Sequence, residues 1–461
     1  MLLFWKKLIA FLMALTVFLS AQLGTAVGVT EGEAIEATRR DYCYDNERLL
    51  IGGYNYDHRH ADNEHVAWVN EAGIDFLIAW ANDNFLDLCH ANGVGVIAKG
   101  YNAPAMYWDA GNTAPWYAIS PDTYKDHPAL WGDDLIDEPT AAGFASLGQV
   151  VNHYYANTAG KLPLINLFPL YANSQQLGNS PEIEWYKKLF LPLSDFSNDS
   201  IDRYKRHVSD YINKIDTDYI SVDIYPLRVE RTKTGERKLI TYDMWLRNLD
   251  ILAEACRETN RDLWVITQAA GDEIDGEGSM RYCDTPEDIR WQAFVSLAFG
   301  AKAIIHACYD SGWWDRGSHL IDGAGNRTDT YYAAKTVNFE LKAFADVYGK
   351  YNNQGAFMHN GLMSRANILR FLMPVKEEFK PEIKSFSPLL VGCFEGKDDD
   401  SKAYCVVNMW EPETGKKACV QFSAEGAEQL TVYQKGVPAV IDGNKCNLLL
   451  DNREGVFITA E

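Results

Sequence analysis

The 461 residues contain no Cys-x-x-Cys pair, no zinc-like Cys/His spacing and no Gly-rich loop after the first apolar run. The first two absences argue against a structural zinc module. The third argues against a dinucleotide or nucleotide fold. Positive charge is also scarce, with 43 Lys and Arg against 64 Asp and Glu and a net charge of -21. That balance disfavours nucleic acid or an anionic membrane as partner. There is no internal repeat and no low-complexity stretch. No cofactor or metal is expected, and no oligomeric state follows from the sequence.

What is present is apolar and aromatic. Apolar residues make up 47% and charged residues 23%, the balance of a globular chain, and the length suggests about two domains. Aromatics reach 13%, with 13 Trp and 25 Tyr. Flat rings in that number suit stacking on sugars as well as filling large cores. At the N-terminus Lys6 and Lys7 precede the apolar run LIAFLMALTVFL, and small residues follow. Residues 1–26 therefore read as a signal peptide, with cleavage after Ala21 or Ala26. The expected location is secreted or cell-surface. An uncleaved N-terminal anchor over Leu8 to Val29 is the alternative, and no other membrane contact is expected. Nine Cys are scattered, four of them after residue 390, where a disulfide could form; an odd count leaves at least one unpaired in a monomer.

Eight short apolar runs recur between residues 49 and 309: LLIGGYNY, IDFLIAW, VGVIAKGY, ALWGDDLID, LPLINLFP, YISVDIYP, DLWVITQA and AKAIIHACY. Several are almost continuously apolar, as strands buried on both faces of a parallel sheet should be. Helical patterns lie between many of them. The segment TPEDIRWQAFVSLAFG opens with Thr285 as N-cap, Pro286 at the first helical position and Asp288 three residues after the cap, and closes on Gly300. Strands and helices alternating in this way predict an α/β fold, a (β/α)8 TIM barrel over residues 45–352. A doubly wound open sheet is the alternative. After about residue 355 the runs are short and strand-like, separated by Gly, Asp, Asn and Lys, which predicts a small antiparallel β-sandwich over 355–461.

A barrel of this kind carries its site at the C-terminal ends of the strands. That rule turns the runs into candidates. They are Tyr54 and Tyr56, Trp80, Lys99 and Tyr101, Asp137 and Glu138, Asn166 and Tyr171, Asp223 and Tyr225, Gln268, and His306 and Asp310. Such a rim is acidic and aromatic and suits a neutral carbohydrate: rings stack on C–H faces while carboxylates and amides bind hydroxyls. Tyr54, Trp80, Tyr101, Asn166, Tyr225, Gln268, His306, Trp313 and Trp314 are the candidate sugar ligands, with Tyr107 and Trp108 as further platforms. Glycosidic cleavage needs an acid to protonate the leaving oxygen and a second carboxylate as nucleophile or base. Glu138 is the candidate acid, because the adjacent Asp137 raises its pKa by like-charge repulsion. The same tripeptide, Asp137-Glu138-Pro139, also reads as an ordinary turn.

The stretches LIDEP, SVDIYP, WVITQAAG and RWQAFVSLAFGAKAIIHACY, with the later GNRTDTYYAAKTVNFEL, resemble the (β/α)8 glycoside hydrolases of clan A, particularly secreted enzymes with a C-terminal β-sandwich. The resemblance spans roughly residues 45 to 455. It implies cleavage of O-glycosidic bonds in an oligo- or polysaccharide. Two positions depart from that family's pattern. Asp137 stands where Asn usually precedes the acid, and Gln268 stands where the nucleophilic Glu is usual. Asp223 is the first candidate for the missing carboxylate. Asp272, Glu273 or Glu277 in the following loop is a second route. A third is a hexosaminidase-like mechanism in which the substrate's own acetamido group attacks, oriented by Asp137 beside Glu138. Gln268 also leaves open a catalytically inactive sugar-binding barrel. A metal-dependent hydrolase is suggested by His58 and His60, but strands 5 and 6 supply no His to complete its ligand set.

Overall fold

In the computed structural model the described residues are 34–56, 60–99, 124–178, 195–231, 237–241, 244–273, 279–281, 283, 285–310, 319–360 and 372–461. The expected signal segment, His58, Tyr101, Tyr107, Trp108, Glu277, Trp313 and Trp314 lie outside them, as do the side chains of Asp272 and Glu273. Among the described residues no helix is long and apolar enough to cross a membrane.

All eight apolar runs form strands, and the strands close into a parallel barrel. They are β1 (Leu50–Tyr56), β2 (Phe76–Trp80), β3 (Gly95–Lys99), β4 (Leu130–Asp137), β5 (Leu162–Leu167), β6 (Tyr219–Ile224), β7 (Asp262–Gln268) and β8 (Ala301–Ala307). The ring is completed where β1 pairs with β8. Alternation sorts the side chains. Leu50, Phe76, Ile78, Ile97, Leu162, Leu164, Trp264, Ala303 and Ile305 fill the interior. Their sequence neighbours Ile51, Leu77, Val96, Ile165, Val265 and Ile304 face the helices in the larger core. The doubly wound alternative is therefore excluded by closure.

The helices wrap the barrel as the amphipathic segments predict. Pro286–Ala298 starts on a capping box, Thr285 with Asp288, and the chain reverses at Gly300 with φ +88. The N-terminal strap from Ala34 plugs the floor. Tyr44 enters the interior and stacks on Trp131 at 4.5 Å. Gly95 is required there, because a Cβ would collide with the Trp131 ring.

Beyond the barrel, strands Tyr351–His359, Leu389–Gly396, Lys402–Asn408, Gly455–Ala460, Gln429–Gln434 and Val437–Asp442 form a six-stranded antiparallel sheet. It faces a three-stranded sheet of Glu382–Lys384, Ala418–Ser423 and Lys445–Leu450 across a separate apolar core. This is the expected antiparallel sandwich. It is welded to the barrel through Pro286–Ala298, where Gly392 lies against the Ala298 backbone and Arg453 pairs with Asp288. All nine cysteines are free thiols, so the disulfide considered for the last region does not form. One sheet was not anticipated. Strands 227–231, 237–241, 272–273 and 279–281 pair antiparallel, built from the excursions after β6 and β7.

Candidate active site

The run LWGDDLIDEP is resolved by two backbone irregularities. Asp133 points outward, where the Tyr154 hydroxyl donates to it at 2.7 Å from the surrounding helix. Asp134 pairs in register with Lys99. Between Asp134 and Ile136 the register against β5 slips by one residue, a bulge that lets Asp137 face the interior opposite Asn166. Glu138 then adopts φ +50, in the left-handed region, and its amide donates to the Asn166 carbonyl at 2.8 Å. Neighbours on a strand normally point to opposite faces. Here the left-handed step turns Asp137 and Glu138 toward one pocket, at a conformational cost of about 1–2 kcal/mol.

That pocket, about 230 Å³, opens at the C-terminal ends of the strands. Asp137, Glu138 and Asp223 share it with Tyr54, Tyr171 and Tyr225, and Asn166 and Ile266 complete the lining. Asn166 Nδ2 donates to Asp137 Oδ1 at 3.0 Å and to Asp223 Oδ1 at 2.9 Å. The two acceptor oxygens are thereby held within about 6 Å of each other. Lys99 Nζ donates to Asn55 Oδ1 at 2.5 Å and to the Tyr54 hydroxyl at 3.3 Å, closing the wall at β1 and β3.

The electrostatics follow from crowding anions under low solvation. The Glu138 carboxyl is pushed up to about 8, by burial first and then by the charges of Asp223 and Asp137. Asp223 is pushed up to about 7 by burial and by Asp137, against the opposing pulls of Asn166 and Tyr225. Asp134 reaches about 7, chiefly through burial, with Lys99 pulling the other way. Asp137 reaches solvent at the mouth, yet the surrounding walls strip enough water to raise its pKa despite Asn166 and Lys99. Near neutrality Glu138 keeps its proton while a neighbour can ionise, which is the division of labour an acid/base pair requires.

Two expected sugar ligands are corrected. Gln268 is fully buried. Its Oε1 accepts from the Leu227 amide at 3.1 Å, and its Nε2 donates to the Leu227 carbonyl at 3.1 Å and the Ala270 carbonyl at 3.2 Å. It clamps the strand that starts the unanticipated sheet and does not line the pocket. His306 is also fully buried, and its Nε2 meets Asn338 Oδ1 at 2.7 Å on a surrounding helix. Strand parity places it outward, between the inward-facing Ile305 and Ala307. Trp80 is 48% exposed at the end of β2 and is not part of the pocket lining. Tyr171, named only for its place after β5, lines the pocket, and so does Ile266, which carried no polar signal in the sequence. His60 stacks on His65 at 5.2 Å. Among the described residues no group of three His, Cys, Asp or Glu is arranged to hold a metal ion. A larger open cleft, about 860 Å³, borders Tyr351 and the 397–402 turn, away from the strand C-termini.

No protein-family model and no curated sequence matches the chain. Among solved structures it is similar to a β-galactosidase from Bacillus circulans sp. alkalophilus, at 9% identity over 90% of this chain and 99% of that one, with a TM-score of 0.43. It is similar to a protein described as a glycoside hydrolase at 9% identity, covering 93% and 97%, with a TM-score of 0.47. A GH27 β-L-arabinopyranosidase from Geobacillus stearothermophilus matches at 8% identity, covering 90% and 96%, with a TM-score of 0.44. Likeness at this level says nothing of chemistry, which rests on the pocket.

Proposed function

We propose that the protein is a secreted glycoside hydrolase acting on the O-glycosidic bonds of an oligo- or polysaccharide, with Glu138 as proton donor and Asp223 as the second carboxylate. One observation carries this reading: three carboxylates from two strands converge on one pocket at the barrel mouth, and Glu138 is the one pushed highest. Protonated Glu138 hands its proton to the leaving oxygen. Asp223, ionised first, faces the anomeric carbon as nucleophile or as base for water. Tyr54, Tyr171 and Tyr225 supply ring faces and hydroxyls for the sugar. The basic and then apolar N-terminal segment supports an extracytoplasmic location.

The adjacency of Asp137 and Glu138 in the pocket supports a second, substrate-assisted reading, with Asp137 orienting an acetamido group. Aryl glycosides with and without a 2-acetamido group separate the two readings. Activity confined to the acetamido series selects the second.

The test of the donor uses leaving groups of graded acidity. Glu138→Ala should lose about 10³-fold in kcat/KM on poor leaving groups and little on strongly acidic ones, which need no proton. An equal loss across the series removes Glu138 as the acid. Sugar binding without cleavage by the wild type replaces the hydrolase reading with a binding barrel.

A further inference from the structure

The carboxamide of Asn166 is spent on protein. Its Nδ2 donates to Asp137 and to Asp223, and its Oδ1 accepts from the Ser221 hydroxyl at 3.0 Å. Asn166 is 3% exposed and Ser221 is fully buried. The two residues are register partners on β5 and β6, so the contact is set by the barrel itself. An amide with both N–H groups and its oxygen engaged has little left for a sugar hydroxyl. Its orientation is fixed, because rotation by half a turn would aim Oδ1 at two carboxylates.

We propose that Asn166 is a positioning residue: Ser221 sets its carboxamide so that a single NH2 group spans Asp137 and Asp223 and holds them as one anionic unit beside Glu138. This rests on reading the pocket as a carboxylate acid/base site. The groups that face the unit are Tyr54 from β1, Lys99 from β3, Asp134 and Glu138 from β4, Tyr171 after β5, Tyr225 after β6 and Cys308 after β8. Lys99 favours ionisation of Asp134 and Asp137, while Asp137 opposes that of Asp134 and of Asp223. Asn166 works with Lys99: it lets both aspartates ionise at close range in place of sharing a proton. Their charge adds to burial in keeping Glu138 protonated.

Loss of the bridge therefore moves two limbs in opposite directions. The aspartates become harder to ionise, so the acidic limb of kcat/KM rises. Glu138 then feels less negative charge, so the basic limb falls. The pH profiles of Asn166→Ala and of the milder Ser221→Ala, which keeps the amide but removes the donor that anchors its oxygen, make the test. Both should narrow the bell, with Asn166→Ala moving each limb inward by about half a pH unit or more and KM staying within about threefold. A bell of unchanged width with a KM increase of about tenfold or more makes Asn166 a sugar ligand and overturns the proposal. Infrared titration of the carboxyl C=O stretch needs no substrate and reads the same midpoints in full-length protein. If the wild type cleaves no glycoside, the hydrolase reading fails and this titration decides. Shifted midpoints in both variants support the bridge, and wild-type midpoints in both overturn it.

Discussion

The two ends of the barrel use the same residue type in opposite ways. At the floor, Arg40 donates to Asp218 at 2.5 Å and Asp216 at 2.7 Å, Arg39 meets Asp262 at 2.9 Å, and Arg48 and Lys342 both reach Asp75 at 2.9 Å. Burial pushes both carboxyls that face Arg40 upward: at Asp216, Thr38 and Arg40 together pull the group below its ordinary value, whereas at the more buried Asp218 burial outweighs the pull of Arg40 and Arg39 and the group stays raised. At the mouth, Asp134, Asp137, Glu138 and Asp223 are crowded against one another, and all four are raised. A buried carboxylate facing a guanidinium has its charge paired, so that removing the partner is what destabilises the fold. A buried carboxylate facing another carboxylate costs stability and holds a proton near neutral pH. The C-terminal mouth is where a barrel bears such a cost for chemistry.

Paired substitutions break this comparison most sharply. Glu138→Gln should remove activity on natural linkages by about 10³-fold while leaving thermal stability at pH 8 unchanged or higher. Arg40→Ala should do the reverse: it strands Asp218 and destabilises the fold by about 3 kcal/mol, with activity per folded molecule retained. Chemical denaturation and initial rates on both variants decide. A floor variant that loses rate without losing stability would erase the distinction.

Gln268→Glu tests whether β7 harbours a lapsed nucleophile. A carboxylate there would face the Leu227 and Ala270 carbonyls, so a loss of about 2–3 kcal/mol and no gain in rate are expected. A rate increase would return Gln268 to the site.

The pH dependence sharpens the same contrast. A carboxyl whose pKa is raised on folding stabilises the protein fully below its unfolded pKa and loses that contribution as pH rises through the folded value. For Asp134, moved from 3.8 to about 7, stability should fall from about pH 4 to about pH 8. Asp134→Asn should therefore add up to about 4 kcal/mol at pH 8 and almost nothing at pH 4. An equal gain at both pH values would show that the carboxyl is not strained by charge. The smallest effect is expected at Trp80, which stands half exposed on the rim. Trp80→Ala should change stability by less than about 0.5 kcal/mol and raise KM a few-fold on long substrates only.

Much of this was legible in the chain because periodicity is local. Near-continuous apolar runs marked all eight strands, and the rule of strand C-termini led to Asp137, Glu138, Asn166, Asp223, Tyr54 and Tyr225, which share one pocket. His306 ends a strand run but does not reach the pocket, because Ala303, Ile305 and Ala307 face inward and alternation turns His306 outward. The strand Val437–Asp442 carries no apolar alternation to mark it, because it is an edge strand with every side chain partly or largely exposed and a Pro at its second position.

Sequence by itself determined the barrel, the sandwich and the rim, since burial pattern and turn chemistry act over a few residues. Only the tertiary structure decided what each polar group does. That Asp133 belongs to a helix contact and Asp137 to the pocket depends on a bulge in pairing with β5. That Glu138 joins Asp137 depends on a left-handed residue held by the Asn166 carbonyl. That Gln268 is a clamp depends on Leu227, 41 residues away in sequence. Hydrogen bonds of that range are set by which strands the closed ring brings side by side, and no local pattern in the chain encodes them.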